Sequence, residues 1–380
     1  MKKYNSLLLI MLAGILVLMS CSRNEELRNN TGAIHTPPPG PSVPPVSRTM
    51  INTQLLPVGT LSQIRSEMAV ASAGNKIVFA GGLISAPNVY SSRVDIFDIT
   101  TNTWGTAELS QARTGIATAT WDKKIYFAGG LFLNGTHSSR VDIYNTETNV
   151  WTTAELPNGN QYLTGAAANN KVVFAGGAEA NILDVFTNTW TIAPLSEKAG
   201  EGYCCQGVVE GITSSVIGNT IYFAGGLGFE VHKEIDIYNS ANNTWSTSQL
   251  SEYKGYVAGI AVGNTNYWAG GYTYLPGIYT LSDLVEIRDM NSGRSTFSSL
   301  FQRNANFSAV AKNDTIVFFT GQGAEKNKFD IYDITNNAWL VGVLPYTVES
   351  ASITSVNNTI YVAGGVVNGA YPNKLWKLEF

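Results

Sequence analysis

The side chains able to do acid–base or binding work are few and recur at fixed offsets. Arg65 and Arg113 each stand 16 residues before the first glycine of a Gly-Gly pair, and Glu67 follows Arg65 by two. Near the matching point of later stretches come Glu210, Arg303 and Glu349. A ring of such polar groups suits hydrogen bonding to a polar ligand and, where two carboxyls are matched, proton transfer. The plainer role for Arg65 and Arg113 is structural, donating to neighbouring loop carbonyls. Tyr272, Tyr274 and Tyr279 in GGYTYLPGIYT are the densest aromatic group. Tyrosine offers a flat apolar face with a polar tip, fitted to a sugar ring or a peptide and equally to loop packing.

Metal and cofactor chemistry lacks its parts. Cys204-Cys205 in GEGYCCQG has no second cysteine pair and no nearby histidine, so a zinc set is missing. In an oxidising compartment the two form either a vicinal disulfide or a pair of thiols. There is no Ser-His-Asp spacing and no phosphate loop, and no cofactor or metal is expected. A net charge of −4 without any run of Lys or Arg argues against nucleic acid as a partner.

The N-terminus reads as an address. Lys2 and Lys3 precede an apolar run from Leu7 to Met19, too short to span a membrane comfortably and suited to a signal peptide. It ends in Leu18-Met19-Ser20-Cys21, which resembles the bacterial lipobox, in which the cysteine is acylated after cleavage. Ser22-Arg23-Asn24-Glu25-Glu26 is similar to the acidic tag that sends lipoproteins to the surface in Bacteroidetes-type bacteria. TPPPGPSVPPV over residues 36–46 favours extended polyproline II and reads as a stalk. The expectation is a leader over 1–20, a lipidated linker over 21–48 and a folded unit over 49–380. The protein is then an outer-membrane lipoprotein, displayed on the cell surface or facing the periplasm, and a monomer.

The folded unit is a repeat. KIVFAGG, KIYFAGG, KVVFAGG, TIYFAGG, TNYWAGG, TIVFFTGQ and TIYVAGG recur at a mean spacing of about 47 residues, with first glycines from 81 to 364. Each is followed by a second strand such as SRVDIFD or KEIDIYN, then by a tryptophan: Trp104, Trp151, Trp190, Trp245 and Trp339. Glycine- and asparagine-rich turns, abundant tyrosine and threonine, and only 14% charged residues suit short strands and tight hairpins. The lines depart in three places. The sixth ends Gly321-Gln322, the fifth has Phe297 for tryptophan, and the third looks shortened between its last two strands.

Together these motifs resemble the kelch repeat, from Ile51 to Phe380. The resemblance implies an all-β, seven-bladed propeller of four-stranded antiparallel blades. The last blade has three strands before the chain stops, so Met50–Pro57 is expected to complete it and close the ring. In such propellers the d–a and b–c connections share one face around the channel mouth. Tyr90, His137 and His232 lie on those loops, beside the candidates above. The resemblance implies a binding module for a glycan or a protein. The alternative is a small enzyme of the sialic acid mutarotase type, using Glu67, Glu210 or Glu349 with Arg65 or Arg113. A third reading is a docking platform of the envelope. Copper radical chemistry, known for some kelch propellers, needs two histidines, two tyrosines and a free cysteine that this chain does not bring together.

Overall fold

The computed structural model describes residues 41, 43, 46–84, 89–159, 162–196, 210–228, 231–275 and 278–380. The leader, Cys21 and the Cys204-Cys205 pair lie outside these residues.

Each repeat folds as one antiparallel meander, strands a to d. In the first blade these are Ala69–Ala73, Lys76–Ala80, Arg93–Asp98 and Thr103–Glu108. Seven such blades form. The a strands of successive blades touch in order, and the first meets the last, so the sheets stand in a closed ring. Small residues let these strands crowd together: Ala69, Ala71 and Ala73 are buried in the first blade, as are Ala117 and Ala119 in the second. Strand b is apolar on both sides because a neighbouring blade covers each face. Ile77, Val78, Phe79 and Ala80 are all fully buried.

Seven apolar cores lie between adjacent blades, one per interface. The repeat tryptophans seal them from the rim. Trp151 stacks on Tyr144 at 4.8 Å and packs against first-blade residues such as Val78 and Val94. In the fifth blade the parts are exchanged. Trp268 on strand b is buried, and Arg288, at the aromatic position of strand c, lies 5.3 Å from its ring.

The glycine pairs turn the chain out of strand b in a backbone form closed to other residues. Gly82 has φ +100°, and a Cβ there would sit 2.5 Å from the Ser66 carbonyl oxygen. The shortening in the third blade falls between strands b and c, not between c and d. Lys171–Gly176 and Glu179–Asp184 are joined by Gly177 and Ala178 alone, whereas the c–d turn keeps its usual four residues.

The N-terminal segment closes the ring, with a correction to its extent. Met50–Pro57 is not one strand. Gln54–Thr60 pairs antiparallel with Lys374–Glu379 and is the fourth strand of the seventh blade. Arg48–Asn52 instead pairs parallel with Ala338–Val343, a fifth strand on the sixth blade. Buried Thr53 divides them, its N–H donating to the Val343 carbonyl at 2.9 Å. The reason is the outer strand of the sixth blade. Its AWLVGV buries Trp339 and Val341, where other outer strands (TWGTAE, VWTTAE) face water. An apolar edge needs cover.

A candidate ligand site at the channel mouth

The d–a connections that frame the mouth are built alike. Each opens on a buried leucine: Leu61, Leu109, Leu156, Leu195, Leu250, Leu300 and Leu344. The N–H of the next residue donates to an acid on strand c of the blade being entered. Ser62 bonds Asp95 at 2.8 Å, Ser110 bonds Asp142 at 2.9 Å and Ser196 bonds Asp236 at 2.9 Å. Ser251 bonds Glu286 at 2.8 Å, and Phe301 bonds Asp330 at 2.7 Å. Where that residue is proline there is no donor, and the acid is gone. After Pro157 the strand c position holds Asn181, which accepts from the Asn158 N–H at 3.4 Å, and after Pro345 it holds Trp376.

Three cations lock the same junctions from within. Arg65 donates to Asp95 and to the carbonyls of Gly81 and Arg93. Arg113 pairs with Asp142 at 2.8 Å and reaches the Phe127 carbonyl at 3.1 Å. Lys254 donates to the carbonyls of Gly270 and Leu284, each at 2.9 Å, and meets Glu252 at 3.0 Å. Arg65 is 1% exposed, and Arg113 and Lys254 are 0% exposed. The two arginines named above as ligand candidates therefore hold the blades, and neither guanidinium reaches the mouth. In the sixth blade Asn304 stands where the cation would be. Arg48 of the N-terminal segment comes within 3.7 Å of Asp330 from outside, leaning over Trp339 at 5.8 Å.

Just before strand a, every blade places one residue in the left-handed region: Glu67, Gly115, Tyr162, Gly211, Tyr256, Asn306 and Ser350, with φ between +51° and +67°. Five are not glycine. A glutamate or tyrosine held there stores strain, and such residues gather where side-chain direction matters. The turn lifts each side chain off the strand that lines the channel and onto the mouth. Gly115 has nothing within 4 Å of its missing side chain, which leaves room beside Glu67. At Gly211 a Cβ would stand 2.7 Å from the Tyr256 ring, so this glycine admits the tyrosine of the next blade.

These positions bring a set of groups together. The Tyr256 hydroxyl donates to Glu210. The Tyr256 ring meets that of Tyr272 edge-on at 6.1 Å. The Tyr272 hydroxyl is bonded to the Gln322 amide oxygen. Burial, then the charge of Glu210, raises the Tyr162 phenol, with smaller contributions from Tyr90 and Glu67, which places Tyr162 of the third blade beside this group. Glu67 lies 3.5 Å from the Thr114 hydroxyl. Its carboxyl is reached by solvent yet walled by protein, and this burial raises its pKa. Burial likewise raises Glu210, partly offset by the hydroxyl of Tyr256. Burial, then the Glu210 charge, drives Tyr256 well above the usual phenol range, so it stays a donor. Two carboxyls biased toward protonation, set among tyrosines, can accept and return protons or bind polar groups.

The remaining candidates lie apart. Arg303 is exposed, 3.9 Å from Asp283, and lines a groove of about 550 Å³ with Pro41, Val43 and Val46 of the linker. Glu349 meets Lys326 at 3.6 Å. Tyr279 is on the second strand of the hairpin Tyr272–Leu275 and Ile278–Leu281, opposite Tyr274. The side chain of Tyr274 lies outside the described residues. No group of three metal-ligating residues occurs among the described residues. Sequence reading missed Tyr162 and Tyr256, and noted Gln322 only as a defect in the repeat. The signal was alignment on the residue before strand a, not on the arginine two places earlier.

Comparison with known proteins agrees with this architecture. The Kelch motif family matches residues 64–104 and 112–155, the first two blades. A solved structure described as "Structure of YjhT" is similar with a TM-score of 0.52 at 14% identity, covering 84% of this chain and 94% of that one. That likeness is one of fold. No curated protein matches the chain in sequence. With Kelch motifs in its opening two blades and seven antiparallel sheets closed in a ring, the chain is a seven-bladed β-propeller.

Proposed function

We propose that this propeller is a binding module that takes a small polar ligand, or the exposed end of a glycan, at the channel mouth. One observation carries the reading. Glu67, Tyr162, Glu210, Tyr256, Tyr272 and Gln322, from five blades, converge there, and three of them occupy the strained position before strand a. Binding sites are concave, with a few convergent polar groups on a rigid frame. The test is calorimetry and a glycan array on the full-length protein. Binding should fall at least tenfold in Tyr256→Phe with the melting temperature unchanged. Equal binding by that variant overturns the site.

A second reading is an acid–base enzyme of the mutarotase type, favoured by the raised pKa of Glu67 and Glu210. A carboxyl whose pKa is raised toward the working pH is better suited to general acid–base work. Turnover of a reducing sugar, lost in Glu67→Gln or Glu210→Gln while binding persists, would select it. With Arg65 and Arg113 buried, such an enzyme would work without them.

We further propose that the propeller is exported and held at the outer membrane by acylation of Cys21, on a proline-rich stalk. The lipobox-like LMSC and the linker that follows support this. Palmitate labelling lost in Cys21→Ser, with release of the protein from the membrane fraction, is the expected outcome. Protease shaving of intact cells then distinguishes surface display from a periplasmic orientation.

A further inference from the structure

We propose that the ligand taken at the mouth carries a positive charge, an ammonium group held between tyrosine faces and the carboxylates of Glu67 and Glu210. This rests on the mouth being the binding site and adds the chemistry of what enters it.

The first ground is the allocation of charge. Among the described residues, the cations nearest the mouth are already committed. Arg65, Arg113 and Lys254 are sealed inside the junctions with their acids and carbonyls. Lys326 donates to the Gly321 carbonyl at 2.9 Å and faces Glu349, Arg303 faces Asp283, and Lys233 lies over the Tyr253 ring at 5.1 Å. Glu67 and Glu210 draw on none of these. The partner of Glu67 is the Thr114 hydroxyl, and that of Glu210 is the Tyr256 hydroxyl. Glu210 is half-buried and Glu67 lies open to solvent, neither with a described cation beside it, and an incoming cation would supply the missing counter-charge.

The second ground is aromatic and independent of the acids. Tyr162, 38% exposed, and the edge-on pair Tyr256 and Tyr272 present rings at the same opening. The negative faces of such rings attract ammonium groups, quaternary ones most selectively, since these carry no N–H donor and are weakly held by water. An anionic sugar acid would meet two carboxylates, with Arg65, Arg113 and Lys254 sealed away from it. Repeat geometry does not demand these side chains either. The equivalents of Glu67 in other blades include Gly115 and Gly211, and the equivalents of Gln322 are the second glycines of six pairs.

The experiment is calorimetry on the full-length protein with choline, its uncharged isostere 3,3-dimethylbutan-1-ol, glucose and N-acetylneuraminate. Choline is expected to bind at least tenfold more tightly than the isostere. Glu67→Gln, Glu210→Gln and Tyr162→Leu should each weaken it by tenfold or more at unchanged melting temperature. Equal binding of choline and the isostere overturns the charge requirement. Preferential binding of glucose or N-acetylneuraminate, lost in Tyr256→Phe, overturns the cation and leaves the mouth as the site. Binding of any probe that no mouth substitution alters overturns both, as does failure of every probe to bind while an array ligand binds unaffected by Tyr256→Phe.

Discussion

At the scale of single residues, the same side-chain types do opposite work depending on a two-residue offset. Arg113 is sealed and Glu67 is presented because the first precedes, and the second occupies, the left-handed turn before strand a. Removing a buried cation strands its acid, which typically costs about 3–5 kcal/mol. Arg113→Ala should therefore lower stability by that order in denaturant unfolding, whereas Glu67→Gln should leave it nearly unchanged. A stable Arg113→Ala variant would show that Asp142 finds other donors. Titration supplies a second check. Burial holds the Asp330 carboxyl up at about 7, despite the Phe301 N–H and Arg48 nearby. An aspartate raised above its unfolded value binds its proton more tightly when folded, so its contribution is full below about pH 4 and fades as pH rises through about 7. Asp330→Asn should thus gain in relative stability between pH 4 and 7, read from urea midpoints. A pH-independent difference would show that Asp330 titrates normally.

At the scale of elements, the blade is a meander whose joints are sewn by one hydrogen bond from the d–a loop to strand c. The two prolines show how that bond is dispensed with, since each coincides with loss of the acid. Ser110→Pro alone should cost about 1–3 kcal/mol, because Asp142 loses an acceptor role in a buried setting. Pairing it with Asp142→Asn should recover part of the loss, as thermal unfolding of the single and double variants will show. Much of this level was legible in sequence. Glycine pairs, the VDI-type strand and the tryptophans fixed seven units and four strands in each. The site was less so, because the mouth residues are variable by nature and carry no shared motif. Tyr162 and Tyr256 look like ordinary loop tyrosines until the backbone at their positions is known. The span of the closing segment was misjudged for a physical reason: one extended stretch serves two blades, and only the apolar outer strand at Leu340–Val343 hints that the sixth needs covering.

At the scale of the whole molecule, the ring depends on its N-terminal segment. Deleting 48–60 removes the last strand of the seventh blade together with the cover on the sixth, and takes Leu55 out of the core it shares with Trp376. That variant should unfold at much lower denaturant than the parent and lose cooperativity. Deleting only 48–52 should cost less, since the seventh blade stays complete. Equal stability of the shorter and longer deletions would remove the closing role of Gln54–Thr60.

The joining of Gln54–Thr60 to the final strand also sets a clock. Asn373 donates to the Leu61 carbonyl across 312 residues of sequence, so Gln54–Thr60, made early, must wait for Lys374–Glu379. Closing so long a loop is entropically slow, and contacts of such separation form late. During synthesis and any passage through a membrane pore, the nascent propeller is an open arc with two bare sheet edges. The ring closes only once Lys374–Glu379 has been made and can pair with Gln54–Thr60. A circular permutant that begins at residue 61 and carries 54–60 after Phe380 would turn that step into a local hairpin, and should refold faster at similar stability.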